Sequence, residues 1–330
     1  MGDLLSDYLD RKERDWLFSI YIDFPFCQSQ CIYCIYKSLN FYEYRDRIAE
    51  YESAVLRELE KYSEVFARHI PDTIYFGGGT PNLWSMESLR RIKELIPCYS
   101  RIKYKKTELH PANLKDEMID FYADCLEMDV VSVGVQSFDR TSCIGQRRIW
   151  ASPQRVEEIV SRFHEKGVRV NMDLVALFNG DEDRCWDIFE EDLSIACLQV
   201  KPDVITCLPN YRTKLDYPEQ VRKLRGYLAQ ICAASDYVPR SKSMLSQDPE
   251  MVAAYGRNDH WIGTPDYWDF SSRNVRYNCS GPNDNRVIPQ LTLSFGGAGK
   301  HKVYSYLPDK KVVVYSAYDF DRHEFVLSGK

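Results

Sequence analysis

No run of about 18 apolar residues occurs in this chain, so no membrane-spanning helix is expected. The opening segment, MGDLLSDYLDRKERDW, is charged and lacks the apolar core of a signal peptide. Met1-Gly2 with Ser6 fits the short myristoylation pattern, but that pattern fixes few positions. No polybasic patch or neighbouring cysteine supplies the second signal that stable anchoring needs. The expectation is a cytoplasmic protein with no membrane partner. Positive charge is not in excess: 43 Lys and Arg face 49 Asp and Glu, a net charge of −6, so the overall field gives nucleic acid no hold. The basic stretch 101–106 reads as a solvated helix or strand edge. Internal repeats, low-complexity tracts and long linkers are missing, and so is a disulfide framework. The eleven cysteines are odd in number. Cys98, Cys125, Cys143, Cys185, Cys197, Cys207, Cys232 and Cys279 stand singly, as small buried residues of a cytosolic protein.

What is present is a strand–helix alternation, with enough apolar residues (44%) for a sizeable core. Residues 18–23 (FSIYID) read as a strand, and 42–69 as a long amphipathic helix with Ile48, Tyr51, Val55 and Leu59 on one face. Further strands are expected at 73–76, 104–109, 130–135, 168–174 and 203–208. Helices are expected at 86–95, 114–128, 153–166, 183–198 and 218–234. Six strands alternating with six helices imply parallel pairing through right-handed crossovers. Such a six-unit sheet curls into a partial barrel whose chemistry belongs at the C-terminal strand ends. After about residue 234 the helical period weakens, and strands are expected at 291–295, 302–306 and 311–316. The reading is α/β: a partial, TIM-like (β/α)6 barrel over 1–234, and an antiparallel α+β extension over 235–330 that covers the barrel mouth.

The chemistry concentrates after the first strand, in FPFCQSQCIYC. Cys27, Cys31 and Cys34 follow the spacing C-x3-C-x2-C, which lets one loop wrap an iron–sulfur cubane. Three ligands for four irons leave one iron open to react. Structural zinc asks for a further Cys or His pair, and none follows. The spacing favours the cluster and leaves zinc open.

C-x3-C-x-aromatic-C, with Tyr33 as the aromatic, resembles the signature of the radical S-adenosylmethionine (SAM) superfamily. YIDFPFCQSQCIYC resembles the loop of the oxygen-independent coproporphyrinogen III oxidase-like branch, close to Y-x-H-x-P-F-C-x3-C-x-Y-C. The likeness continues through FGGGTP (76–81), GVQSF (134–138), NMDLV (171–175) and FGGAGKH (295–301), in the family's order. The resemblance implies a [4Fe–4S] cluster on the three cysteines and one SAM, or two where the second supplies a methyl group. Gly77, Gly78, Gly79 and Thr80 would meet the methionine part of SAM; taken alone, they read equally well as a tight turn. Glu108 would meet the SAM ammonium, Arg148 its carboxylate, and Gln136 and Asp173 the rest of SAM, Asp173 towards the ribose. Alone, Glu108 or Arg148 would pass for a surface charge. Leu208 and Asn210 would flank the adenine, and Tyr21 the sulfonium. The implied activity is cleavage of SAM to a 5′-deoxyadenosyl radical that takes hydrogen from a small-molecule substrate. An electron donor such as flavodoxin or ferredoxin is the implied partner.

Several residues depart from the branch pattern. Asp23 stands where the branch has histidine, and Tyr36 where true coproporphyrinogen oxidases carry another cysteine. Those oxidases also have a longer N-terminal arm and a longer C-terminal helical domain. Arg273-Asn274-Val275-Arg276-Tyr277 stands where haem chaperones carry H-N-x-x-Y. Both porphyrin roles weaken, and the methylases and cyclopropanases of the branch become the nearer comparison. The alternatives are radical dehydrogenation or oxidative decarboxylation with one SAM, or a non-catalytic haem or cluster carrier. Tyr267, Trp268, Arg273, Tyr277, His301 and Tyr304 suggest a substrate wall in the last third, with His301 as polar contact or proton carrier.

Overall fold

A computed structural model describes residues 9–10, 17–34, 36, 38–176, 182–209, scattered positions from 223 to 246, and then 276–278, 285–287, 290–298, 303–306 and 312–329. Twelve strands form one open sheet: β1 (Leu17–Phe24), β2 (Thr73–Gly78), β3 (Tyr104–Leu109), β4 (Val130–Gln136), β5 (Arg169–Ala176), β6 (Val204–Pro209), β7 (Val238–Ser241), β8 (Met244–Ser246), β9 (Gln290–Phe295), β10 (Val303–Tyr306), β11 (Val312–Asp319) and β12 (Glu324–Gly329). Their order is β12-β11-β10-β9-β1-β2-β3-β4-β5-β6-β8-β7. The seven strands from β9 to β6 pair in parallel, and the sheet does not close.

The strand at 290–295 corrects one expectation. The extension was expected to be antiparallel, yet β9 runs parallel to β1, with Leu17 opposite Gln290 and Ile22 opposite Phe295. Its apolar residues explain the place: Phe295 packs against Tyr62 and Phe66, ring centroids 5.3 and 6.4 Å apart. Only then does the chain turn antiparallel through β10, β11 and β12. The extension therefore lengthens the sheet at the β1 edge.

Alternation divides the two faces of the parallel strands. Ile20, Ile22, Ile74, Phe76, Val131 and Met172 are wholly buried in the apolar core beneath the helices. The helices start at residues suited to capping. Ser85 and Ser152 accept from the amides of Ser88 and Arg155, with Pro153 in the first turn, and Asp139 caps the helix Arg140–Gly145. Three expected helices are interrupted. The one at 42–69 breaks at Lys61–Tyr62 into Ile48–Glu60 and Ser63–Arg68, which brings Phe66 against Phe18 as well as Phe295. Those at 114–128 and 183–198 end in π-helical turns, Phe121–Cys125 and Ile195–Val200. The expected helix at 218–234 lies largely outside the described residues. Among the described residues no helix is long and apolar enough to cross a membrane.

Candidate active site

The cysteine loop leaves β1 and is closed by a two-residue parallel pairing of Phe26–Cys27 with Leu39–Asn40. Leu39 N donates to Pro25 O at 2.7 Å, and Phe41 N to Cys27 O at 2.9 Å. The loop rests on the segment after Arg140–Gly145: Ile32 N donates to Gln146 O at 3.0 Å, and Ser29 Oγ to Arg147 O. Cys27, Cys31 and Cys34 are free thiols that line one cavity. Burial pushes the Cys27 thiol up, and the Cys34 thiol up to about 11. A thiolate there needs a positive partner, and bound iron is one.

The glycine turn packs directly against this loop. A Cβ on Gly79 would stand 2.6 Å from Phe26 O and 2.9 Å from Cys27 Sγ. Gly78 has φ +108°, and a Cβ there would meet Asp23 Oδ1 at 2.7 Å. Thr80 Oγ1 lies 3.4 Å from Cys27 Sγ. These contacts explain the glycines by close approach of β2 to β1 and the loop. Gly78, Gly79 and Thr80 also line the cavity.

The inner face of the sheet is polar and almost fully hydrogen-bonded. Asp173 accepts from Ser132 Oγ at 2.9 Å and from Asn171 Nδ2 at 2.8 Å, and Thr206 Oγ1 donates to Asn171 Oδ1 at 2.8 Å. Tyr75 donates its hydroxyl to Glu108. Burial pushes both carboxyls up, Glu108 and Asp173. The opposing pulls are the Tyr75 hydrogen bond and Lys106 on Glu108, and Lys106, Ser132 and Asn171 on Asp173.

Gln136 and Arg148 complete the wall. At the end of β4 the register with β5 slips between Gly134 and Gln136, and Gln136 takes φ +72°. Arg147 takes φ +55° and also lines the cavity. Left-handed backbone at non-glycine residues is strained and marks places where side chains are aimed. Arg148 lies against the cysteine loop, with Nη1 3.2 Å from Tyr33 Oη and 3.9 Å from Cys31 Sγ, and Nη2 donating to Gly134 O. Its Nε is buried without an acceptor among the described residues.

The cavity measures about 600 Å³, within the range of about 300–1,000 Å³ usual for small-molecule sites. It holds all three cysteines, Tyr33, Gly78, Gly79, Thr80, Glu108, Gln136, Arg148 and Asp173. The fit to a cluster with SAM rests on its donors. Three thiols line it together. Two carboxylates suit an amino group and ribose hydroxyls, and a buried guanidinium with an unmet N–H suits a carboxylate. Among the described residues no three His, Cys, Asp or Glu side chains converge to hold a single metal ion.

Gly77 and Tyr21 stand just outside this lining. A Cβ on Gly77 would touch the rings of Tyr21 and Tyr75 at 2.8 Å, and Tyr21 donates its hydroxyl to Asp23 at 3.1 Å. Leu208 lies in β6 with its side chain outside the described set; Asn210 and His301 lie outside the described residues altogether. The same holds for Tyr267, Trp268 and Arg273, and for the side chains of Tyr277 and Tyr304. Sequence reasoning missed His110, Ser132 and Lys106. His110 lines the cavity, and burial with the nearby Arg148 holds its imidazole well below its usual value. Ser132 is readable in hindsight as the inward residue of β4, two before Gly134.

A family model described as the radical SAM superfamily matches residues 21–192, just over half of the 330 residues. The chain belongs to the radical SAM superfamily. That family uses a [4Fe–4S] cluster and SAM. Anaerobilin synthase of Escherichia coli O157:H7 is 30% identical to this radical SAM chain over 185 residues, which is 54% of this chain and 40% of that protein. The oxygen-independent coproporphyrinogen-III oxidase-like protein HemZ of Bacillus subtilis is 26% identical over 175 residues, 49% of this chain and 34% of that protein. The matches thus span less than half the length of these curated relatives. Heme chaperone HemW of Lactococcus lactis is 30% identical over 124 residues, 37% of this chain and 31% of that protein. Coproporphyrinogen III oxidase (HemN) from Escherichia coli, a radical SAM enzyme, shares the fold. Its TM-score is 0.68 over 95% of this chain and 69% of that one, at 15% identity.

Proposed function

We propose that this chain is an enzyme that holds a [4Fe–4S] cluster on Cys27, Cys31 and Cys34 and binds SAM in the adjoining cavity. The observation that carries the reading is one cavity lined by all three thiols together with Glu108, Gln136, Arg148 and Asp173. Glu108 and Gln136 stand at the ends of two strands, Asp173 lies within a third and Arg148 in a loop, 65 residues apart from first to last by number, and a parallel sheet brings them together. When bound, the cluster and SAM supply reductive cleavage of the sulfonium and a hydrogen-abstracting radical. The chain's own residues bind and orient. Glu108 receives the amino group, Arg148 the carboxylate, and Asp173 the ribose hydroxyls; Gln136, held at left-handed φ, reaches the same molecule. The apolar face of the sheet and the helices over it keep water from behind the site.

The substrate is proposed to be a small molecule walled by the last third of the chain, with His301, which lies outside the described residues, as polar contact. The finer reaction is C-methylation or cyclopropanation with a second SAM. The likeness of FGGAGKH to the family's late glycine turn supports this reading; Gly297 N donates to Asp23 Oδ2 at 3.2 Å, beside the first glycine turn. A flavodoxin or ferredoxin supplies the electron. Anaerobic reconstitution followed by product counting tests the proposal. About four irons and four sulfides per chain are expected, with SAM turned over to both S-adenosylhomocysteine and 5′-deoxyadenosine. Deoxyadenosine alone would select dehydrogenation or decarboxylation. Stoichiometric zinc without sulfide would sink the central claim.

A further inference from the structure

Lys106 is 1% exposed, on the inward side of β3, two residues before Glu108 and so one layer deeper in the sheet. A lysine is almost never buried so completely unless it is paired. Its ammonium sits 5.5 Å from the centre of the Tyr75 ring, whose hydroxyl holds Glu108. Its charge is felt at Asp173 and Glu108, the two carboxylates assigned to SAM. A third carboxylate, Asp23, is wholly buried nearby and adds its repulsion to Glu108. Among the described residues the charged and titratable groups of this layer include Tyr21 and Asp23 from β1, Tyr75 from β2, Glu108 from β3 and Asp173 from β5. Arg148 and Tyr36 come from the loops, while β4 and β6 supply the uncharged Ser132 and Thr206. Lys106 is a buried cation on the side of the sheet that carries two buried acids, Asp23 and Asp173, and the half-buried Glu108.

We propose that Lys106 is a positioning residue for SAM, drawing Glu108 and Asp173 towards the ionised form in which they receive the cofactor's amino group and ribose hydroxyls. The inference rests on the SAM site proposed above. Burial alone drives both carboxyls towards the protonated form, in which each is a poorer acceptor. The ammonium opposes that drift without touching SAM, and Tyr75 fixes the distance by stacking on one partner and bonding the other. For a carboxyl whose value is raised, SAM affinity rises with pH as the proton leaves. Removing Lys106 raises that value further, so the deficit is greatest near neutrality and narrows in alkali.

The test is equilibrium SAM binding to the anaerobically reconstituted protein from pH 6 to 9. Lys106→Met keeps the volume, Lys106→Arg keeps the charge, and Glu108→Gln removes the proton at issue. The SAM amino group titrates in the same range, at about 7.7–8.0 for a free α-amino group, so the difference from wild type is the readout. In K106M, affinity at pH 7 should fall about tenfold, the equivalent of one pKa unit, and the gap should close towards pH 9. K106R should restore most of the loss. In an E108Q background K106M should cost less than it does alone, because only the part of its effect that runs through Asp173 remains. Retained cluster absorbance certifies folding. A K106M deficit equal at every pH would make Lys106 a space-filling residue and overturn the proposal. So would an E108Q profile with the wild-type pH slope, which does not depend on K106M folding. Wild-type protein that carries a cluster yet binds no SAM would instead remove the SAM site itself.

Discussion

On β5, Val170, Met172 and Leu174 are wholly buried in the apolar core, while the alternating Asn171 and Asp173 are tied to Ser132 and line the polar side. The two sets are interleaved along eight residues, and both are removed from water. Their energetics differ in kind. The outer set gains by transfer from water and by packing. The inner set must offset desolvation with hydrogen bonds and opposing charge, and such groups give little net stability. A face built that way makes sense where a ligand is to be bound, since its polar groups are fixed before the ligand arrives.

The sharpest way to break the contrast is at the cysteines. Replacing Cys27, Cys31 and Cys34 together by Ala should abolish the visible thiolate–iron absorbance and leave far-UV circular dichroism near wild type. Persistent absorbance after anaerobic reconstitution would mean that other residues carry the cluster. Neighbouring residues of β5 provide the next test. Met172→Ala should cost about 2–5 kcal/mol of stability, as for large-to-small changes in a packed core, while the folded fraction keeps its SAM affinity. Asp173→Ala should do the reverse. Loss of hydrogen bonds to a charged group is worth about 1.5–3 kcal/mol, or about tenfold to a hundredfold in SAM affinity. The cluster should remain, and the melting temperature should change less than for M172A. Equal losses of stability in the two variants would erase the distinction between the faces.

The same distinction decides what could be read in advance. The outer face announces itself by period: Phe18, Ile20 and Ile22, or Val131, Val133 and Val135, mark strands without any knowledge of the fold. The cysteine spacing is equally local. Glu108, Gln136, Arg148 and Asp173 could be named only through motif resemblance, because nothing in a single strand says which distant strand end it will meet. Lys106 escaped notice for the opposite reason. In YKKTELH it looks like one of two surface lysines, and only the register, with Tyr75 opposite, turns it inward. The π-helical endings of two helices and the parallel entry of β9 depend on tertiary packing. No glycine or proline lies inside 121–125 or 195–200 to signal the change.

The smallest effect belongs to a carboxylate treated in the opposite way. Glu50, on the helix Ile48–Glu60, accepts from Tyr318 Oη at 2.5 Å and His323 Nδ1 at 2.8 Å, with Arg47 Nε at 3.3 Å. It ties the turn between β11 and β12 to the helix. Burial would raise its value, but the hydrogen bonds from Tyr318, His323 and Arg47 outweigh that and hold it down to about 2. Glu108 is raised because its surroundings exclude water; Glu50 is lowered because it stands near solvent among donors. The sign follows from linkage. A depressed folded value gives stability that is fully present above the unfolded value of about 4.3 and is lost as pH falls towards 2. Glu50→Gln should therefore lower the melting temperature slightly at pH 7, on the scale of a surface ion pair worth about 0–1 kcal/mol. The variant and wild-type curves should converge between about pH 4 and pH 2. SAM affinity should not move, since Glu50 is not among the residues lining the cavity. A gap in melting temperature that widened in acid would show that Glu50 is not held ionised by these partners.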